Sequence, residues 1–207
     1  MRQGRPAHAY LLVGPPQVGK MTLALNLAQG VNCLQGPGAP CGSCNQCVRI
    51  AGRQHADVRI IAVDKGNTEG PSRTVIGIGD VKDVSRQVSL KPFEGKCNVI
   101  IFEGADFMSE EAANALLKTL EEPPPRVLFL LLTANEELVL PTIRSRCHRL
   151  LLLPMAKGEM VERLEKDHQT GSEESERLAR LSRGCFGWAI SALDAGNGVM
   201  ERREEEL

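Results

Sequence analysis

The chain has 207 residues, 42% of them hydrophobic, with 25 basic against 26 acidic side chains and a net charge of −1. That length supports one medium domain plus a small second one. The balanced charge argues against a global basic field for nucleic acid, and five Phe, one Trp and one Tyr argue against a base-stacking platform. The absence of a long apolar run and of a signal-peptide pattern points to a cytoplasmic protein with no membrane partner.

The first element is a short apolar strand, Ala9-Tyr10-Leu11-Leu12-Val13. It leads into Gly14-Pro15-Pro16-Gln17-Val18-Gly19-Lys20-Met21-Thr22, nearly the phosphate-binding pattern G-x-x-x-x-G-K-[ST], and then a helix to about Val31. Glycines at both ends allow a tight turn with inward N–H groups, and Lys20 would reach the β- and γ-phosphates. The candidate nucleotide contacts are Gly14, Pro15, Gln17, Val18, Gly19, Lys20, Met21 and Thr22. The residue after Lys20 should be a hydroxyl that ligates Mg²⁺, but Met21 offers only a thioether. Thr22 comes one residue late, about 100° further round the helix.

Cys33-x7-Cys41-x2-Cys44-x2-Cys47 follows. Each C-x2-C step lets two thiolates converge on one ion, and Gly36, Gly38 and Gly42 permit the turns. The spacing points to a structural Zn²⁺ held by Cys33, Cys41, Cys44 and Cys47 in a reducing compartment; spacing alone also admits an iron–sulfur cluster. Val58–Val63 reads as a second strand, Asp64–Arg73 as a loop and Val81–Leu90 as a short amphipathic helix.

Asn98–Glu103 is a continuous apolar run ending in an acid, the pattern of a central parallel strand. Glu103, at its C-terminal end, is a candidate contact to Mg²⁺. Ser109–Glu122 reads as a helix with a Ser cap, stopped by Pro123-Pro124-Pro125. Val127–Thr133 is a further buried strand, Leu140–Ser145 a helical turn and His148–Leu153 an apolar strand. After Pro154 the composition changes to charged helices at Lys157–His168, Ser172–Arg183 and Phe186–Leu193. The division is therefore a core, 1–154, carrying a cysteine module at 33–47, and a helical region, 155–207.

Several stretches carry a resemblance: His8-Ala9-Tyr10-Leu11-Leu12, Gly14–Thr22, the four cysteines, Asn114-Ala115-Leu116-Leu117-Lys118-Thr119-Leu120-Glu121-Glu122-Pro123-Pro124 and Thr142-Ile143-Arg144-Ser145-Arg146-Cys147. Together they resemble the delta-prime subunits of the bacterial DNA polymerase III clamp loader, AAA+ proteins related to gamma/tau. The resemblance covers residues 8–153 strongly and the helices to about 195 more weakly. It implies an α/β AAA+ core with a parallel sheet, an inserted four-cysteine zinc module and a small all-α lid. It also implies ATP or ADP at the loop, gamma/tau-type and delta-type partner subunits, and a role in loading the sliding clamp onto primed DNA within a DNA polymerase holoenzyme.

The resemblance further implies that Arg146 is an arginine finger, reaching a neighbour's ATP γ-phosphate in trans. Taken alone, Arg146 is a salt-bridged residue at a strand edge. Three departures bear on hydrolysis: Met21 in place of the hydroxyl, Gly104 in place of a water-orienting acid, and Trp188 in place of a phosphate-facing arginine. They imply a scaffold without intrinsic ATPase; the alternative is an active gamma/tau-type ATPase using Thr22. A zinc-stabilised nucleotide-sensing module outside replication is a third reading. The family also has an earlier helix and a C-terminal collar that 207 residues do not accommodate, which implies a piece of a longer chain or a divergent short form.

Overall fold

The computed structural model describes residues 7–36, 38–63, 74–195 and Arg203. The expected Asp64–Arg73 loop, Met1–Pro6, and the Glu201–Leu207 tail apart from Arg203 lie outside the described residues. Two compact units are present. The first takes the residues through Val13 and Met21–Leu150, and the second takes Gly14–Lys20 and the residues from Leu151 onward.

The first unit is built on a five-stranded sheet: β1 (Ala9–Val13), β2 (Val58–Ala62), β3 (Asn98–Glu103), β4 (Val127–Thr133) and β5 (His148–Leu151). The spatial order is β2-β3-β4-β1-β5, with β2, β3, β4 and β1 parallel. The central strands are buried on both faces, every residue of β4 among them, as their unbroken apolar runs require. One face meets α3 (Ile78–Ser89), α4 (Glu110–Glu121) and α5 (Pro141–Arg144). There Leu11, Ile100, Phe102, Phe129 and Leu131 share a core with Val81, Val84, Val88, Leu116 and Leu120. Residues of opposite parity, including Leu12, Val99, Ile101 and Leu130, are equally buried on the other face. The remaining helices of this unit, α1 (Lys20–Asn32) and α2 (Asn45–Ala51), bury Ala24, Ala28 and Ile50.

The elements depart from the sequence expectation at their ends. Helix α3 begins at Ile78, three residues before the apolar spacing starts, because Asp80 Oδ2 accepts from Gly77 N–H at 2.9 Å and fixes its first turn. Helix α2 is not legible from the cysteine spacing. Strand β5 stops at Leu151 and is exposed along its length, as an edge strand. The Ser109 cap is present: its side chain accepts from Ala112 N–H at 3.2 Å.

A buried polar brace holds the segment entering β3. Asp57 accepts backbone N–H bonds from Phe93 (2.7 Å), Glu94 (2.8 Å) and Gly95 (2.6 Å). Asn32 Oδ1 accepts from the next two, Lys96 (2.8 Å) and Cys97 (2.9 Å). Five successive donors are thus satisfied by two side chains from elsewhere in the chain. His55 Nδ1 accepts from Asp57 N–H at 3.0 Å, and its Nε2 pairs with Gln46 Oε1 on α2. Glu94 pairs with Arg49 and accepts from Ala56 N–H at 3.1 Å.

The second unit contains α6 (Lys157–His168), α7 (Ser172–Leu181) and α8 (Phe186–Ala195) around Met160, Leu164, Leu178, Leu181, Ala189 and Ala192. Gln169 in the left-handed region ends α6.

Burial raises the Asp57 pKa, but its three N–H donors outweigh this and hold the carboxyl below the usual 3.8. Its stabilising contribution is therefore complete above about pH 4 and lost as pH falls through the lowered folded-state value. Asp57→Asn is expected to cost roughly 2–4 kcal/mol in neutral denaturant melts. It should also flatten the dependence of stability on pH in that acid range.

Candidate functional site

The phosphate-loop residues from Gly14 to Lys20 lie within the second unit. The Lys20 ammonium folds back onto the loop: Nζ donates to the carbonyls of Gly14 (2.5 Å) and Pro15 (2.8 Å). Gln17 is left-handed at φ 59°, and its carbonyl accepts from Gly187 N–H of α8 at 2.9 Å. A Cβ on residue 187 would stand 2.7 Å from that carbonyl oxygen, so glycine is what permits the contact. Trp188 packs beside the helical core, with the Arg203 guanidinium 5.7 Å from its ring centre. It is a packing residue in a place where the resemblance would put a phosphate-facing arginine.

Met21 and Thr22 lie in the first turn of α1, Met21 half-buried and Thr22 exposed. Glu103 is the exposed last residue of β3 in the first unit. Gly104 follows in the left-handed region, at φ 87° and ψ 53°. A Cβ there would lie 3.0 Å from the Phe107 ring. A side chain at this position would therefore be strained as well as crowded. Thr133, buried at the end of β4, both donates to Asn135 C=O (2.9 Å) and accepts from its N–H (3.0 Å).

Cys33, Cys41, Cys44 and Cys47 converge, with all four Sγ atoms within 4.8 Å of one another. The Cys41–Cys47 separation is 4.0 Å, close to the edge of about 3.8 Å of a tetrahedron with zinc–sulfur bonds of about 2.3 Å. The glycines between Cys33 and Cys44 have the positive φ angles that the turns require. N–H groups of Cys44 and Ser43 lower the Cys41 pKa to about 6. The N–H groups of Leu34 and Cys47 lower that of Cys44. Burial pushes Cys47 up to about 12. Backbone donors thus favour the thiolate at Cys41 and Cys44, and a bound cation would supply the charge compensation that the buried Cys47 lacks. These are the four sulfur donors that suit zinc, and Gln29 Nε2 ties the Cys47 carbonyl to α1 at 2.8 Å.

Arg146 lies on the turn after α5. Its Nη1 donates to the Thr142 carbonyl (2.8 Å) and to Ser145 Oγ (3.3 Å), and its Nη2 to Glu121 Oε1 (2.5 Å). Among the described residues Arg146 Nε has no acceptor. Its two neighbouring arginines differ. Arg149 commits both Nε (2.6 Å) and Nη2 (2.7 Å) to Glu136. Arg144 Nη1 pairs with Glu137 at 3.3 Å. Cys147, immediately after Arg146, packs against the first unit's core, and burial raises its thiol to about 12.

Among the curated relatives, DNA polymerase III subunit gamma/tau of Mycobacterium tuberculosis is 37% identical over 146 residues, 70% of this chain and 24% of that one. DNA polymerase III subunit delta' of Escherichia coli is 31% identical over 195 residues, 94% of this chain and 57% of that one. This chain therefore spans about a quarter of the first relative and little more than half of the second. A solved DNA polymerase III gamma subunit-related protein of Thermotoga maritima superposes with a TM-score of 0.53 at 23% identity, covering 88% of this chain and 65% of that one. At that identity the match speaks to fold, and the fold is the AAA+ α/β core with its parallel sheet. The family model described as DNA polymerase III, delta subunit, matches residues 1–156, which include the strands, the loop, the cysteine cluster and the arginine turn, and the chain belongs to that family.

Proposed function

We propose that this chain is a non-hydrolysing subunit of a DNA polymerase III clamp loader. In this reading residues 1–154 are an AAA+ core and 155–207 a helical lid. The subunit scaffolds the ring, presents Arg146 to ATP bound by a gamma/tau-type neighbour, and joins a delta-type subunit in loading the sliding clamp onto primed DNA. The observation that carries the non-hydrolysing part is Gly104. Its left-handed backbone stands where an active relative needs an acid to orient water, so regaining that acid requires more than one substitution. Met21 and Trp188 agree with it, since one offers no hard ligand and the other no charge. The loop keeps its shape and its lysine and takes ATP or ADP without turnover, with no hydroxyl after Lys20 to hold Mg²⁺.

Arg146 suits the trans role better than its neighbours do. Arg149 has both donors of its side-on edge, Nε and Nη2, committed to one carboxylate, whereas Arg146 is fixed through Nη1 and keeps Nε available for an oxyanion. The cysteine cluster is a structural Zn²⁺ module. An iron–sulfur cluster divides its cysteines among several irons and would hold some of them farther apart than ligands of a single ion.

One observation favours a second reading, an active gamma/tau-type ATPase: the identity to the M. tuberculosis gamma/tau protein is higher than that to the E. coli delta' protein. The two readings separate in a turnover assay on the purified chain. Turnover is expected at the level of a Lys20→Ala control, and Gly104→Glu should not raise it while costing about 1–2 kcal/mol of stability. Hydrolysis that disappears in Lys20→Ala would establish the second reading.

In a reconstituted loader, Arg146→Ala is expected to slow single-turnover hydrolysis at the neighbour's site by about 10²–10³-fold. Unchanged DNA-dependent turnover would remove the finger role. Metal analysis should give one zinc per chain, lost in Cys44→Ser; an iron–sulfur absorption spectrum would refute the zinc assignment.

A further inference from the structure

Helix α4 ends with more acid than base, Lys118 being the cation of its last turn. Its last residue, Glu121, and the following Glu122 place two carboxylates at the negative end of the helix dipole, where cations are favoured. The end is nonetheless firmly set. His8 Nε2 donates to the Leu120 carbonyl at 3.0 Å, and Pro123 follows immediately after Glu122. A local rule broken at a rigid position calls for a compensating partner, and Glu121 has one: Nη2 of Arg146, at 2.5 Å.

The division of labour around that guanidinium is specific. Nη1 is committed to the backbone of its own turn, through Thr142 C=O, and to Ser145 Oγ. Orientation of Arg146 therefore does not depend on Glu121. What Glu121 occupies is Nη2, one of the two nitrogens (Nη2 and Nε) that would face a phosphate side-on. The pair is substantially exposed, with 34% of the Arg146 and 51% of the Glu121 side chain accessible, so water and salt weaken it. A single carboxylate in that setting is displaceable by the more highly charged, multiply accepting oxygens of a nucleotide phosphate.

We propose that Glu121 is the intramolecular counter-anion of Arg146. It holds the outer amine of the guanidinium while no nucleotide faces it, and releases it to the phosphate of a neighbouring subunit's nucleotide. It thereby sets how much nucleotide the neighbour must bind before the finger engages. The inference rests on the trans-finger reading and adds the competitor that tunes it.

The test uses the reconstituted loader with Glu121→Gln, which keeps the shape and a neutral acceptor but removes the charge. Apparent nucleotide affinity at the neighbour's site should tighten by about two- to fivefold, the range for loss of an exposed ion pair, with kcat changed less than about twofold. The gain should vanish when Glu121→Gln is combined with Arg146→Ala, and shrink as salt is raised. Weakened affinity, no change, or the same gain in the Arg146→Ala background would each overturn the proposal. If Arg146→Ala alone has no effect, the finger reading fails and this inference fails with it. If Arg146→Ala is impaired and Glu121→Gln is unchanged, only this inference fails. Thermal melts matching the parent protein show that the exposed substitution has not altered folding.

Discussion

The first unit depends on satisfying five successive backbone donors, from Phe93 to Cys97, in the segment that enters the central strand β3. Asp57 takes three and Asn32 takes two. Both acceptor side chains are themselves buried, and leaving either unpaired would cost on the order of 1–3 kcal/mol, so each is tied to this segment. The same brace reaches the cysteine module. Asn32 ends α1, directly before Cys33, while His55 and Glu94 join it to Gln46 and Arg49 of α2. Lys96 Nζ donates to the Cys33 carbonyl at 2.5 Å. The module is thus bonded directly into the segment that feeds β3, and a metal held by its four cysteines would stabilise the approach to that strand.

Much of this architecture is legible in the sequence because burial on both faces writes itself as unbroken apolar runs: Asn98–Glu103 and Val127–Thr133 have the same bounds in the sequence pattern and in the fold. The brace is not legible. Asn32 and Asp57 are isolated polar residues with no periodicity, and their partners in the segment before β3 are backbone atoms some 36 to 65 residues away. Helix α2 is obscured because Cys47 reads as a ligand only, although Cys47 and Ile50 are a buried i, i+3 pair. The apolar character of Leu150 and Leu151 suggests an ordinary sheet strand, while the structure leaves both exposed at an edge. At the candidate site, the departures at Met21, Gly104 and Trp188 are visible as residue types. The backbone state of Gly104 and the pairing of Arg146 with Glu121 are not, because they arise only on folding.

These departures have different standing. Met21 is a side-chain change on an otherwise ordinary helix turn and is reversible in principle. Gly104 is tied to a left-handed conformation and to the Phe107 ring. Trp188 has become part of the packing around α8. Two of the three departures therefore reach from chemistry into backbone and core. A larger or charged side chain at either of these two positions would have to displace that backbone geometry or that packing.

Cys147 gives the arginine turn a further property. Its partly buried side chain packs against the core, and burial pushes its thiol up to about 12, which favours the protonated form. The residue beside the exposed arginine is therefore a hydrophobic anchor in chemical disguise. It anchors the main chain next to Arg146, whose guanidinium is itself bonded to that same turn through Nη1. A thiol that favours its protonated form reacts more slowly with oxidants and alkylating reagents than an exposed thiolate, so the arginine turn resists such modification.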